Sequence, residues 1–160
     1  QLKTILLSGD RKEKSEALAQ KLGIEDVYAE YSPQQKLDKI AALNKEAPTA
    51  MVGDGVNDAP ALAKATLGIS LSDASHLAMQ SADVILMNSG LKNLPYALGL
   101  GKQTFTTIKQ NLFWAFAYNI VAIPIAFFGL LTPTFAALAM GFSDVVLILN
   151  SVRLFVKKVV

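Results

Sequence analysis

The sequence has no cysteine, which excludes disulfide bonds and any metal site built from this chain's own thiolates. Its single histidine, His76, lies in "SDASHLAMQS" and reads as a helix-surface residue. Of thirteen acidic residues only Asp144 lies beyond Asp83, and between Lys109 and Arg153 that aspartate is the only charge. Charge is scarce overall, at 18% of residues, and the net value of +2 is too small to argue for a nucleic-acid partner. There are no internal repeats and no low-complexity tracts. No signal peptide opens the chain, and Gln1 stands one residue ahead of a strand-like run, so the sequence reads as a piece of a longer polypeptide.

What is present is apolar. Hydrophobic residues make up 52% of the chain, somewhat above ordinary soluble usage. With charge so unevenly spread, the chain divides into a soluble-looking half up to about Asn88 and a bilayer-like half from about Asn111.

The first half alternates between strand-like and helix-like segments. "KTILLS" is followed by the helical "RKEKSEALAQKLG" with Gly23 as C-cap. "DVYAE" precedes the helix "SPQQKLDKIAALNKE", with Ser32 as N-cap and Pro33 at the first helical position. "TAMVGD" leads through a glycine turn to the short helix "NDAPALAKA". "LGISLS", "ASHLAMQS" and "ADVILM" then read as strand, helix and strand. Such alternation predicts an α/β unit with a parallel sheet. Ligands of such sheets collect at the carboxyl ends of strands, where both acid-bearing turns fall: Ser8-Gly9-Asp10 and Gly53-Asp54-Gly55.

A polar, helix-compatible connector with Lys92, Lys102 and Lys109 spans residues 90–110. Beyond it, "NLFWAFAYNIVAIPIAFFGLL" carries no charge and is long enough to cross roughly 30 Å of hydrocarbon. "TPT" interrupts it, and "FAALAMGFSDVVLILNSVRLF" is a second run of similar length. Lysines precede the pair, and Arg153, Lys157 and Lys158 follow it. The positive-inside rule therefore places both ends in the cytosol and the Leu131–Thr134 turn outside. The competing reading is a buried hairpin of a soluble protein, which the small remaining surface of the chain disfavours.

The stretch "MVGDGVNDAPALA" holds two carboxylates four residues apart, Asp54 and Asp58, with no basic residue adjacent in sequence. Carboxylates that converge repel unless a cation joins them. A hard-oxygen site with open positions suits Mg²⁺, which keeps water ligands and shares them with phosphate. The alternative is a glycine turn followed by a helix N-cap. Ser8 supplies a hydroxyl at a neighbouring strand end, and Lys36, at the start of its helix, supplies an ammonium for a phosphoryl group. A hydroxyl, a lysine and a GDGxxD turn in that order are far more specific together than any one alone.

These residues resemble the C-terminal part of P-type ATPases, whose phosphorylation domain has the haloacid-dehalogenase-like (Rossmannoid) fold. The family's "GDGxNDAPAL" is complete from Gly53 to Leu62. Its Thr-Gly-Asp stands here as Ser8-Gly9-Asp10, and its Pro-x-x-Lys as Pro33 to Lys36. The resemblance implies a catalytic set of Ser8, Gly9, Asp10, Lys36, Asn57 and Asp58. It makes Asp54, with Asp58, the Mg²⁺ site, has Lys36 and Ser8 touch the phosphoryl group, and sets Asp10 near nucleotide and metal. Residues 1–89 then form part of the phosphorylation domain, 90–110 a connector, and 111–160 two transmembrane helices (about 111–131 and 135–155) with a basic cytosolic tail. The Asp-Lys-Thr-Gly-Thr segment that carries the phosphorylated aspartate does not occur. The resemblance therefore implies partners upstream in the same polypeptide: a nucleotide-binding domain holding ATP, an actuator domain and further membrane helices. On that reading the fragment by itself neither forms an aspartyl phosphate nor hydrolyses ATP.

Two spans after the hinge resemble the heavy-metal branch of the family. In its copper-transporting members a Tyr-Asn pair stands in the first of these helices and Met-x-x-Ser-Ser in the second; here they read Tyr118-Asn119 and Met140-Gly141-Phe142-Ser143-Asp144. The implied transported-cation set is Tyr118, Asn119, Met140, Ser143 and Asp144. Pro124 removes a backbone hydrogen bond and predicts a bend near Asn119. Helical spacing predicts one stripe of Met140, Ser143, Asp144, Leu147 and Ser151. A thioether suits Cu⁺, while lipid packing for Met140 and interhelical hydrogen bonding for Asn119 stay open. Asp144 departs from the family pattern. A carboxylate there admits Zn²⁺, Cd²⁺ or Co²⁺, a proton, or a partner on another helix. The expectation is an integral, multi-pass protein of a bacterial cell membrane that exports Cu⁺. A zinc, cadmium or cobalt pump is one alternative and a membrane-anchored phosphatase of the same fold is another, although the chain lacks the nucleophilic aspartate the phosphatase needs.

Overall fold

The computed structural model describes residues 2–87, 90–130 and 132–156. The basic tail residues Lys157 and Lys158, the half-boundary at Asn88 and the first residue of the Leu131–Thr134 turn lie outside them. The chain forms two compact units, Gln1–Asn93 and Leu94–Val160.

The first unit runs β1 (Ile5–Leu7), α1 (Lys12–Leu22), β2 (Asp26–Tyr28), α2 (Pro33–Glu46), β3 (Ala50–Gly53), a 3-10 turn (Val56–Asp58), α3 (Ala59–Lys64), β4 (Leu67–Leu71), α4 (His76–Gln80) and β5 (Val84–Leu86). Every strand pairing is parallel, with Leu7 opposite Tyr28, Gly53 opposite Ser70 and Leu71 opposite Leu86. The expected α/β layout is present, but the strands make two sheets rather than one. β1 pairs with β2, and β3, β4 and β5 form the other sheet in that order. Residues that cap helices explain the element ends. Ser32 accepts the Gln35 N–H while the Gln35 side chain accepts the Ser32 N–H, a complete capping box ahead of Pro33. Gly23 ends α1 in the left-handed conformation at φ 68°, and His76 is exposed at the start of α4.

The core gathers Ile40 of α2, Met51 of β3, Ala61 and Leu62 of α3 and Ala78 of α4, with Leu7 of β1 packed against it. Leu62 and Ile69 are fully buried. The tightest approach is α3 on β4. A Cβ on Gly68 would lie 2.7 Å from the Leu62 carbonyl oxygen, and the Gly68 N–H donates to the Asp83 carboxylate at 2.8 Å. A backbone atom gives way less readily than a side chain, so Gly68→Ala is expected to cost about 1–3 kcal/mol. Urea titration of the variant checks this through a lower midpoint at unchanged slope.

The second unit is a helical pair, α5 (Leu94–Phe127) and α6 (Pro133–Val156). The helix-compatible connector expected over residues 90–110 is helical from Leu94 and continues into α5. Pro124 lies inside the helix. Both helices are long and apolar enough to cross a membrane, and their apolar side chains are largely exposed.

Candidate phosphate site and membrane hairpin

The turn after β3 is built around one buried ion pair. Lys36 Nζ donates to Asp58 Oδ1 at 2.7 Å, with the two side chains only 11% and 13% exposed. The other oxygen, Oδ2, accepts the Gly55 N–H at 3.3 Å. Asp58 can sit there because residue 53 has no side chain: a Cβ on Gly53 would lie 2.9 Å from the Asp58 Cβ. The carboxylate thus folds back over its own turn instead of capping α3. The sequence reading expects a cation to join the two carboxylates and offers no adjacent basic residue. Asp58 has its positive partner within the protein, brought from 22 residues away, a pairing that sequence adjacency does not reveal.

Asp54 is different. It is exposed at the end of β3, and no ion pair to it occurs among the described residues. Its carbonyl accepts the Ser75 N–H at 2.9 Å, which braces the turn from the start of α4. Asn57 is exposed in the 3-10 turn. Among the described residues no cluster of three or more His, Cys, Asp or Glu side chains assembles a closed metal cage.

The second turn follows β1. Ser8 Oγ accepts the Asp10 N–H at 3.0 Å, leaving the hydroxyl proton for donation. Asp10 is exposed and pairs with Lys14 at 3.0 Å. The loop after β2 supports this turn: Tyr31 N–H donates to the Ser8 carbonyl and Glu30 N–H to that of Asp10, at 3.0 and 2.9 Å. Gly9 lies close beneath, since a Cβ there would be 3.3 Å from the Tyr31 carbonyl oxygen. Glu30 holds a positive φ of 59° to do this, an uncommon conformation for a residue with a side chain. Ser8 and Asp10 line a cavity of about 300 Å³ with Leu6, Lys14, Ser15 and Leu18. No hydrogen bond or ion pair among the described residues joins the two turns directly.

The hairpin divides the five residues expected to meet a transported cation. Tyr118 and Ser143 are half-buried between α5 and α6, whereas Asn119, Met140 and Asp144 are exposed. The anticipated single stripe on α6 is therefore split: Ser143, Leu147 and Ser151 turn toward α5, and Met140 and Asp144 turn outward. The Asn119 side chain donates to the Ala115 carbonyl one turn earlier, at 2.8 Å, within its own helix. Sequence reasoning missed Asn111 and Asn150, which hydrogen-bond across the pair. Two amides in long apolar runs were the signal available.

The parallel strands and glycine-flanked carboxylate turns define a haloacid-dehalogenase-like α/β unit followed by two long apolar helices. The family model described as haloacid dehalogenase-like hydrolase matches residues 1–66. Over nearly its whole length the chain resembles heavy-metal P-type ATPases. It is 46% identical over 154 residues to a copper-exporting P-type ATPase of Bacillus subtilis, covering 96% of this chain and 19% of that protein. It is likewise 46% identical to the cation-transporting P-type ATPase B of Mycobacterium tuberculosis, covering 96% of this chain and 20% of that protein. Among solved structures, a zinc-transporting PIB-type ATPase in its E2.Pi state matches with a TM-score of 0.89 at 32% identity, over 94% of this chain and 25% of that one. The catalytic domain of a CPx-ATPase matches with a TM-score of 0.52 at 38% identity, over 53% and 34% of the two chains. The chain spans about a fifth of the length of the curated relatives it matches.

Proposed function

We propose that this chain is the hinge-and-hairpin part of an ATP-driven heavy-metal transporter that exports Cu⁺ from the cytosol. The observation that carries the reading is the β3 turn, in which a buried lysine holds Asp58 and leaves Asp54 projecting. The similarity to copper-exporting relatives supports the choice of ion.

In the phosphate site, Lys36 has three donors and gives one to Asp58, so two remain for a phosphoryl group. Ser8 donates its hydroxyl proton to another phosphoryl oxygen. The donor set fits Mg²⁺: Asp54 offers one exposed hard carboxylate, both Asp58 oxygens are engaged, and no all-protein cage surrounds them. Such a site leaves most of the ion's shell to water and phosphate. Asp54 would hold the ion, which when bound supplies charge neutralisation to the phosphoryl oxygens. Asn57 and Asp58 order the turn.

Other parts of the whole protein complete the device. Among the described residues β1 pairs only with β2, and β3 only with β4, so each sheet keeps an open edge while Leu7 and Met51 share one core. Open edges are templates for another strand. Upstream polypeptide, comprising the segment bearing the phosphorylated aspartate, the nucleotide-binding and actuator domains and further membrane helices, is the occupant this reading requires. The hairpin is placed in a bacterial cell membrane with both ends cytosolic, as the lysines around it favour. On its own the chain transfers no phosphate. Purified chain incubated with radiolabelled ATP should retain no acid-stable label, and label that resists acid quench overturns this.

The Met140 thioether suits Cu⁺, and the Tyr118–Asn119 pair adds to this only through its resemblance to copper-transporting members of the family. One observation favours a second reading. Asp144 is exposed beside Met140, and a hard carboxylate there suits Zn²⁺, Cd²⁺ or Co²⁺. Metal-stimulated ATP hydrolysis by the whole transporter separates the two. Stimulation by Cu⁺ that is lost in Met140→Ala supports the first reading; stimulation by Zn²⁺ that is lost in Asp144→Ala supports the second.

A further inference from the structure

We propose that Asn111, Asn150 and Ser151 form a polar clamp that fixes the sliding register of the α5–α6 pair and so positions Tyr118 opposite Ser143. The inference rests on reading the pair as a membrane hairpin.

Three hydrogen bonds carry it. Asn150 Nδ2 donates to Asn111 Oδ1 at 2.8 Å, Asn111 Nδ2 donates to Ser151 Oγ at 2.9 Å, and the Ser151 hydroxyl donates to the Leu147 carbonyl at 2.9 Å. Both ends of the Asn111 amide are used across the seam, and Ser151 ties the cluster to its own helix. All three side chains are half-buried. The cluster sits at the charged end of the pair, where Asn111 opens the apolar run and Ser151 stands two residues before Arg153, and a slip of either helix breaks its directional bonds between half-buried groups. The apolar side chains of the seam have no comparable directionality, because one smooth apolar side chain packs much like another.

Running the antiparallel register outward from Asn111 and Asn150 at equal rise per residue brings Tyr118 level with Ser143, Ala122 with Ala139 and Ile125 with Ala136. All six are half-buried, as facing residues should be. The small residues at Ala122, Ala136 and Ala139 permit close helix approach. Both helices are right-handed and antiparallel, so the residues following the facing pair, Asn119 and Asp144, project from one flank, about 3 Å apart in level. Both are exposed there, with Met140 one turn away on the same helix as Asp144. A displacement of one turn would shift Asp144 by about 5.4 Å relative to Asn119. The clamp residues touch no cation in this scheme; they act by positioning.

The absence of cysteine makes a direct test possible. The 160-residue chain is expressed in bacterial membranes with cysteine pairs at Ala122/Ala139, in register, or at Ala122/Phe135, one turn out. Oxidation is followed by loss of maleimide-reactive thiols. The in-register pair should cross-link at least about tenfold faster than the displaced pair. In the Asn111→Leu/Asn150→Leu background the preference should collapse, and the reciprocal exchange Asn111→Ser/Ser151→Asn should restore it. An undiminished preference in the leucine background overturns the clamp. Alkaline carbonate extraction of the same preparations tests the membrane reading separately. Release of the chain into the soluble fraction refutes that reading, while the cross-link comparison still judges the clamp.

Discussion

Lys36→Met is expected to destabilise the first unit by about 3–5 kcal/mol, the usual consequence of leaving one member of a buried ion pair without its partner. The magnitude follows from where the charge is stranded. Asp58 is 13% exposed, and of its two oxygens one loses a charged donor at 2.7 Å while the other keeps only a neutral N–H at 3.3 Å. The turn cannot relax outward without uncovering α3, since Ala59, Ala61 and Leu62 immediately behind it are buried. Adding Asp58→Leu to Lys36→Met removes the stranded charge and should recover much of the loss, because replacing a buried pair with apolar groups is often close to neutral. Urea unfolding of the wild-type, single and double variants measures both quantities. A single variant within about 0.5 kcal/mol of wild type would mean that water reaches Asp58 and that the pair does not hold the turn.

Asp54→Asn should do the opposite: leave stability almost unchanged and remove activity. Its side chain is exposed and makes no ion pair among the described residues, and the bond that braces the turn uses its backbone carbonyl, which asparagine retains. Surface substitutions of this kind shift stability by no more than about 0.5 kcal/mol. In the transporter proposed above, however, Asp54 is the one carboxylate left for the divalent ion. Loss of a preorganised electrostatic contribution to phosphoryl chemistry costs on the order of 10²–10³-fold in rate. Metal-stimulated ATP hydrolysis by the whole transporter should therefore fall by at least about 100-fold while its melting temperature holds. Raising Mg²⁺ should restore part of the rate if binding rather than chemistry is weakened. Full activity in Asp54→Asn would remove this carboxylate from the site.

Much of the fold was legible because its determinants are local. Ser32, Pro33 and Gln35 announce the start of α2 through backbone groups three residues away, and Gly23 ends α1 through its own φ. The alternation of strand and helix in the first half and the uncharged runs in the second depend only on nearest-neighbour composition, so both survive folding unchanged. The expected parallel pairing is present, and what the sequence did not show is that the strands pair as two groups, β1-β2 and β3-β4-β5. Parallel strands need partners distant in sequence, and no periodicity within "KTILLS" or "TAMVGD" says which edge stays open.

By itself the sequence determined the alternating α/β unit, the two spans of membrane length, the helix caps and the positions of the glycine-flanked acids. Each is set within a few residues by backbone conformation or side-chain polarity. The tertiary structure alone decided that Asp58 is neutralised by Lys36 while Asp54 is not, that Tyr118 and Ser143 turn inward while Asn119, Met140 and Asp144 turn outward, and that Asn111 meets Asn150. Those outcomes depend on distances between groups far apart along the chain, which exist only once helices have packed and a lysine from α2 has reached the turn beyond β3.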